Sequence, residues 1–71
     1  MKKINVAIVG LGFGAEFIPI YQAHPDTNMA AICQRSVDKM NQIGDYFDVP
    51  KRYASFDELI ADPEIDAVHI N

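Results

Sequence analysis

Residues 4–21 run Ile4-Asn5-Val6-Ala7-Ile8-Val9, then Gly10-Leu11-Gly12-Phe13-Gly14-Ala15, then Glu16-Phe17-Ile18-Pro19-Ile20-Tyr21. The first six are rich in β-branched residues and almost continuously apolar, which predicts a strand covered on both faces within a parallel sheet. The middle six fit G-x-G-x-x-G/A, and each small residue has its own task. Gly10 permits the tight turn, Gly12 lacks the Cβ that would hold a pyrophosphate away from the backbone, and Ala15 lets the next helix lie close to the strand. Unpaired N–H groups at that helix start would face the phosphates, and the helix dipole also favours negative charge there. Strand, glycine turn and helix in this order predict a dinucleotide-binding unit. The plainer reading is a glycine turn with no ligand.

Working outward, the first helix is predicted from Phe13 or Gly14 to Ala23, with Phe17, Ile20 and Tyr21 on its inward face. Pro19 falls well inside it, lacks an N–H and crowds the Ala15 carbonyl, so a kink costing up to about 3 kcal/mol is expected. His24-Pro25-Asp26-Thr27-Asn28 is turn chemistry, and Met29-Ala30-Ala31-Ile32-Cys33 reads as a second parallel strand completing a βαβ unit. Ser36 caps a second helix that ends near Phe47, with Val37, Met40, Ile43 and Phe47 at helical spacing. Lys51-Arg52-Tyr53-Ala54 is a short, charged, outer strand. Ser55 and Glu58 have capping-box spacing and start a short helix through Phe56, Leu59, Ile60 and Ala61. Ile65 to Asn71 reads as a fourth strand, ending where a ligand-binding loop should open.

The fold expected is therefore α/β: a partial doubly wound Rossmann sheet, β-α-β-α-β-α-β, parallel, with strand order 3-2-1-4. At 71 residues the chain is small for an independent domain. It reads as the N-terminal part of such a domain, stopping mid-architecture.

With 49% apolar residues the chain is a folded globular piece rather than a linker, and a net charge of −4 supplies no basic footprint for nucleic acid or an anionic membrane. The one cysteine, Cys33, has no disulfide partner and no C-x-x-C companion, which fits a reducing cytoplasm. No apolar run approaches the roughly 20 residues of a membrane-spanning helix.

Gln34 holds the position about 20 residues past the glycines where an acid selects an unphosphorylated 2′-hydroxyl. Its amide can bond a hydroxyl but carries no charge to repel a 2′-phosphate. Arg35 and Ser36 follow, a guanidinium and a hydroxyl beside a helix start, so NADP is permitted and favoured slightly over NAD. The alternative is that Arg35 is a solvated charge and Ser36 only a cap. Phe13 either packs over the phosphates or ribose or anchors the turn. Cys33 reads as an inert buried thiol, His24 and His69 lack ligand spacing, and the scattered carboxylates read as solvated or capping groups, so no metal site is expected.

On the glycine turn, on Cys33-Gln34-Arg35-Ser36, and on Asp62-Pro63-Glu64-Ile65-Asp66-Ala67-Val68-His69-Ile70-Asn71, the chain resembles the N-terminal part of the glucose-fructose oxidoreductase and inositol dehydrogenase family, Gfo/Idh/MocA. The resemblance covers essentially the whole chain. It implies a Rossmann domain binding NAD or NADP, and a following domain, absent from this chain, for substrate and homo-oligomer contacts. It also implies hydride transfer to or from a sugar, inositol or related polyol. By position, Gly10, Gly12, Phe13, Gly14 and Ala15 would line the pyrophosphate, Gln34, Arg35 and Ser36 the adenosine ribose, and Asn71 would approach the cofactor. Gln34 departs from the acid common in NAD-preferring members. The family's catalytic lysine, in an E-K-P motif, has no counterpart here, so the chain alone is expected to bind cofactor without turning over substrate. Two rivals are a nucleotide sensor without chemistry and a half-domain that self-associates through the edge at Ala67–Ile70.

Overall fold

The structure, a computed structural model, describes residues 3–12 and 14–71. Four strands, β1 (Ile4–Val9), β2 (Thr27–Cys33), β3 (Lys51–Tyr53) and β4 (Ala67–Ile70), form one sheet in the order β3-β2-β1-β4. Every pairing is parallel. The strand order and direction are those the sequence implied.

Each connection is a helical crossover, and the helices divide between the two faces. A 3₁₀ turn (Gly14–Phe17) leads into α1 (Ile18–Ala23), and α2 (Val37–Phe47) follows β2. Both pack on one face over Ile8, Leu11, Ile18, Met29, Ile32, Met40 and Val49. The other face carries α3 (Phe56–Ile60), whose Leu59 is fully buried against Ala7, Ala31 and Cys33. Coverage on both sides explains why Val6, Ala7 and Ile8 read as an unbroken apolar run.

Several local expectations are corrected. The predicted continuous helix to Ala23 is a 3₁₀ turn followed by a short α-helix, and Pro19 lies in the first turn of that helix. There its missing N–H has no bond to lose, so the expected mid-helix kink does not arise. Ile18 is fully buried whereas Ile20 is 58% exposed, because the change in helix type at Phe17 rotates the inward face by a residue or two. Strand β2 begins at Thr27, two residues early: Thr27 pairs with Ile4, and its hydroxyl donates to the Tyr21 carbonyl at 2.7 Å. The register slips between Val6 and Ala7, leaving Ala30 as an extra residue, so Met29 and Ile32 serve the same face.

Strand β4 is shorter than predicted, since Ile65 and Asp66 precede it. They belong to a turn tied to β1: the Asn5 N–H donates to Asp66 Oδ2 and the Asp66 N–H to the Asn5 carbonyl, both at 2.9 Å. Val37 is exposed although it begins the helical spacing of α2, Phe56 and Ile60 of α3 are exposed as well, and Ala61 caps α3 at its exposed end. These helices are short, and one residue per turn suffices to seat them.

Candidate functional site: the carboxyl ends of the strands

Strand β1 is flanked by β2 on one side and β4 on the other, so the direction of winding reverses between β1 and β4. A crevice opens outside the carboxyl ends of the strands at such a reversal, and ligands of open α/β sheets bind there. The turn from Gly10 to Ala15 leaves β1 at this point.

The three glycines of the turn differ in what requires them. Gly10 has φ +86°, and a Cβ there would lie 3.1 Å from the Asn71 carbonyl oxygen. Its N–H donates to the Cys33 carbonyl at 3.1 Å, so Gly10 contributes shape and has no free donor. A Cβ on Gly14 would lie 3.0 Å from Ile8 Cγ2 and 3.5 Å from Asn71 Cβ. The tightest approach of helix to strand is therefore made at Gly14, one residue before Ala15, which is only partly buried against the same core. Among the described residues, its chain neighbours aside, a Cβ on Gly12 would meet no protein atom within 4 Å. Among the described residues, no protein acceptor takes the Leu11 or Gly12 N–H. The chain's own packing thus accounts for Gly10 and Gly14 and leaves Gly12 unexplained. The placement expected of Phe13 lies outside the described residues.

Asn71 follows β4 and donates its N–H to the Val9 carbonyl at 3.1 Å, extending the β1–β4 ladder to the edge of the crevice. Its side chain lies over Gly14. The structure thereby brings Gly10, Gly14 and Asn71 together, from positions far apart in sequence.

On the β2 side, a cleft of about 400 Å³ runs from Val9 and Gly10 past Cys33, Gln34 and Arg35 to Ala54, Ser55 and Phe56. That volume is in the range of small-molecule sites. The Gln34 N–H donates to the Tyr53 carbonyl at 3.2 Å, which fixes the backbone at the end of β2, and Gln34 Oε1 accepts the Arg35 N–H at 3.0 Å. The Gln34 amide therefore has its donor end unbound by this contact. Arg35 is exposed and makes no ion pair among the described residues. Ser36 caps α2, its Oγ accepting the Lys39 N–H at 3.4 Å. Its hydroxyl hydrogen is not used by that bond.

Sequence reasoning missed Ala54, Ser55 and Phe56 as part of this cleft. Ser55 read only as a helix cap, and it is one, but the turn after an outer parallel strand also opens at the carboxyl edge where ligands bind. Cys33, on the cleft wall, is 5% exposed, and burial, assisted by the nearby charge of Glu58, pushes its thiol above the usual range. A thiol held protonated in this way is no nucleophile near neutral pH.

The D-P-x-I-D-A phrase lies at some remove from the crevice and acts as a fastening. Asp62 Oδ2 accepts from the Tyr53 hydroxyl and, at 2.9 Å, from Lys51 Nζ, while Asp62 Oδ1 accepts the Glu64 N–H. Lys51 also pairs with Glu64 at 2.8 Å. The Tyr53 and Lys51 hydrogen bonds and the Glu64 N–H hold the Asp62 carboxyl at about 2. The phrase therefore ties the outer strand β3 to the approach of β4. His69 is likewise structural in its contacts: its ring lies 4.5 Å from that of Phe17, and Nδ1 is 2.9 Å from the Tyr21 hydroxyl. Among the described residues no helix is long and apolar enough to cross a membrane.

The comparisons agree with this geometry. Residues 4–71 match an oxidoreductase family described by its NAD-binding Rossmann fold. An uncharacterized oxidoreductase of Synechocystis is 38% identical over 69 residues, which is 96% of this chain and 19% of that protein. Among solved structures, an oxidoreductase from Agrobacterium radiobacter in complex with NAD⁺, L-tartaric acid and magnesium superposes with a TM-score of 0.89 at 28% identity, over 97% of this chain and 20% of that one. Apo scyllo-inositol dehydrogenase from Lactobacillus casei gives 0.83 at 26% identity, over 99% and 21%. The chain spans about a fifth of the length of these relatives. With the strand order, the glycine turn and the family match in agreement from β1 to β4, the chain belongs to the Gfo/Idh/MocA oxidoreductase family and comprises an NAD-binding Rossmann fold.

Proposed function

We propose that this chain is the dinucleotide-binding part of an NAD(P)-dependent oxidoreductase, and that the whole protein moves a hydride between the nicotinamide and a sugar, inositol or related polyol. The observation that carries the cofactor reading is Gly12. Among the described residues, its chain neighbours aside, none comes close enough to need its missing side chain, whereas a diphosphate approaching this backbone would. The Gly12 N–H has no protein acceptor among the described residues and can donate to a phosphate oxygen, and Gly14 and Ala15 open the helical segment that borders the same crevice. Asn71 borders the crevice on the β4 side. When bound, the cofactor supplies the hydride chemistry, and these residues hold and orient it. The polyol class rests on the family and on relatives such as scyllo-inositol dehydrogenase. The groups that would shuttle the substrate proton belong to the family's later E-K-P motif, so this chain by itself binds cofactor and does not turn over substrate.

Between the two cofactors the proposal favours NADP. Gln34 spends its amide oxygen on the Arg35 N–H and so offers a donor where NAD-selective sites carry an acid. Arg35 and the Ser36 hydroxyl stand beside it, and all three groups suit a 2′-phosphate. Calorimetric titration with NAD and NADP tests this. Tighter binding of NADP, lost on Arg35→Ala while NAD affinity holds, is the expected result. Equal or tighter binding of NAD removes the preference, and binding of neither removes the cofactor assignment.

A second reading, association between copies, is favoured by one contrast between the sheet edges. Strand β3 is guarded by Lys51, Arg52 and the preceding Pro50, whereas β4 has no charge or proline and exposes Val68 and Ile70, the latter 69% exposed. Sedimentation at rising concentration decides it: a monomer throughout refutes pairing through β4.

A further inference from the structure

His69 projects from β4 toward the first helical crossover, where its ring lies 4.5 Å from that of Phe17 and its Nδ1 2.9 Å from the Tyr21 hydroxyl. Phe17 ends the 3₁₀ turn that Gly14 begins. The two ends of that turn therefore rest on two residues of one strand face, Gly14 on Asn71 and Phe17 on His69. The spacings agree, since one 3₁₀ turn rises about 6 Å and two strand residues about 6.6 Å. Strand β4 thus splints the segment that follows the glycine turn. Phe17 makes no capping hydrogen bond at the start of α1, and Tyr21 lies one turn further along, so both aromatic rings meet the imidazole. Around His69, β1 offers the apolar Val6 and Ile8, α1 offers Tyr21, and Glu16 of the 3₁₀ turn is exposed. Among the described residues His69 joins no ion pair, and a hollow of about 320 Å³ beside it gives a proton access to the ring.

We propose that His69 is a positioning residue that makes dinucleotide binding sensitive to pH: neutral, it braces the 3₁₀ turn in its binding geometry, and protonated, it releases it. The inference rests on the cofactor assignment above and goes beyond it, because His69 lies outside the crevice and acts through Phe17 and Tyr21. Histidine changes charge between about pH 5 and 8. An unprotonated Nδ1 accepts the Tyr21 hydroxyl hydrogen, whereas a protonated Nδ1 is only a donor, so the hydroxyl hydrogen loses its acceptor and a charge enters a half-buried, largely apolar site. The contact that holds the far end of the turn then weakens, and the turn is left pinned at Gly14 alone. Ordering it again when the diphosphate arrives costs affinity.

The test titrates the protein with NAD at about pH 8 and about pH 5.5, for wild type, His69→Gln, Tyr21→Phe and His24→Gln. NAD is the probe because it lacks the 2′-phosphate of NADP, which itself titrates in this range. Wild type should bind about 2- to 12-fold more weakly at the lower pH, the worth of one hydrogen bond. His24, whose Nδ1 accepts the Asp26 N–H at 3.1 Å beyond the end of α1, is the control, and His24→Gln should keep the wild-type loss. His69→Gln and Tyr21→Phe should change by less than about twofold across the range. By linkage, saturating NAD should make His69 harder to protonate by the same factor, read from the NMR signals of its ring. That arm and the wild-type profile stand even if a variant folds poorly. Wild-type affinity that is constant or rises toward the lower pH overturns the proposal, as does an undiminished loss in His69→Gln. If wild type binds NAD at neither pH, the cofactor assignment itself has failed, an outcome distinct from binding that ignores pH.

Discussion

Replacing Gly12 with valine separates what the fold needs from what a ligand needs. Among the described residues, its chain neighbours aside, a Cβ at Gly12 meets no protein atom within 4 Å, and Gly10 is the only described glycine with a left-handed backbone. The substitution should therefore leave thermal stability within about 1 kcal/mol of wild type, a shift of no more than about 4–8 °C. Ligand binding behaves differently. Two charge-assisted bonds from backbone N–H groups to phosphate oxygens are each worth about 1.5–3 kcal/mol, and a branched side chain between them and the diphosphate removes both. The sum, about 3–6 kcal/mol, is a loss of roughly 10²- to 10⁴-fold in affinity for NAD or NADP. The other two glycines provide the controls. Gly10→Ala forces a side chain into the left-handed region against Asn71 and should cost about 1–2 kcal/mol of stability, while Gly14→Ala presses on Ile8 and should cost about 1–3 kcal/mol. Thermal melts followed by circular dichroism, with calorimetric titration of each variant, read both quantities. If Gly12→Val binds the dinucleotide within about threefold of wild type, the reasoning fails, because the open space over Gly12 would then have no occupant.

Three further outcomes follow from other parts of the molecule. The Asp62 carboxyl is held at about 2, so the stability it confers is complete above the ordinary carboxylate range and is lost as pH falls from about 4 through 2. Melts across that window should steepen in wild type and flatten in Asp62→Asn, which is also less stable at neutral pH. An unchanged acid limb in the variant would refute the fastening role. At the alkaline end, Lys51 is raised in the folded chain by its bonds to Glu64 and then Asp62, and Tyr53 by its bond to Asp62, so their contribution is present at neutral pH and is lost as pH rises beyond their ordinary values. Leu59→Ala should cost about 2–5 kcal/mol in denaturant titration, since Leu59 is the buried residue that seats α3; a loss below about 1 kcal/mol would mean α3 is held elsewhere.

Local sequence carried a large part of the architecture. The Ile4–Val9 run, the Gly10–Ala15 turn, the Ser36 cap and the Ser55–Glu58 pair depend on neighbours within about four residues, and their chemistry is visible wherever such residues stand together. Strand boundaries were less legible. Thr27 and Asn28 have turn-like composition, yet Thr27 joins β2 because Ile4 and the Tyr21 carbonyl are positioned to pair with it. Likewise Ile65 and Asp66 continue a strand-like run but bond instead to the start of β1, a partner about sixty residues away.

By itself, then, the order of strand, glycine turn and helix determined the fold class, the parallel sheet and the class of ligand, since each follows from backbone freedom and side-chain periodicity at short range. Tertiary structure alone decided the glycines' separate duties. Only the approach of Asn71 and Ile8 shows that Gly10 and Gly14 are required by the packing, while no described residue beyond its chain neighbours crowds Gly12. It also brought Phe56 to the wall of the Gln34 cleft, because residues from β2 and β3 meet only where parallel strands end side by side. Distances between segments remote in sequence are set by packing, and packing is where the remaining half of the site was written.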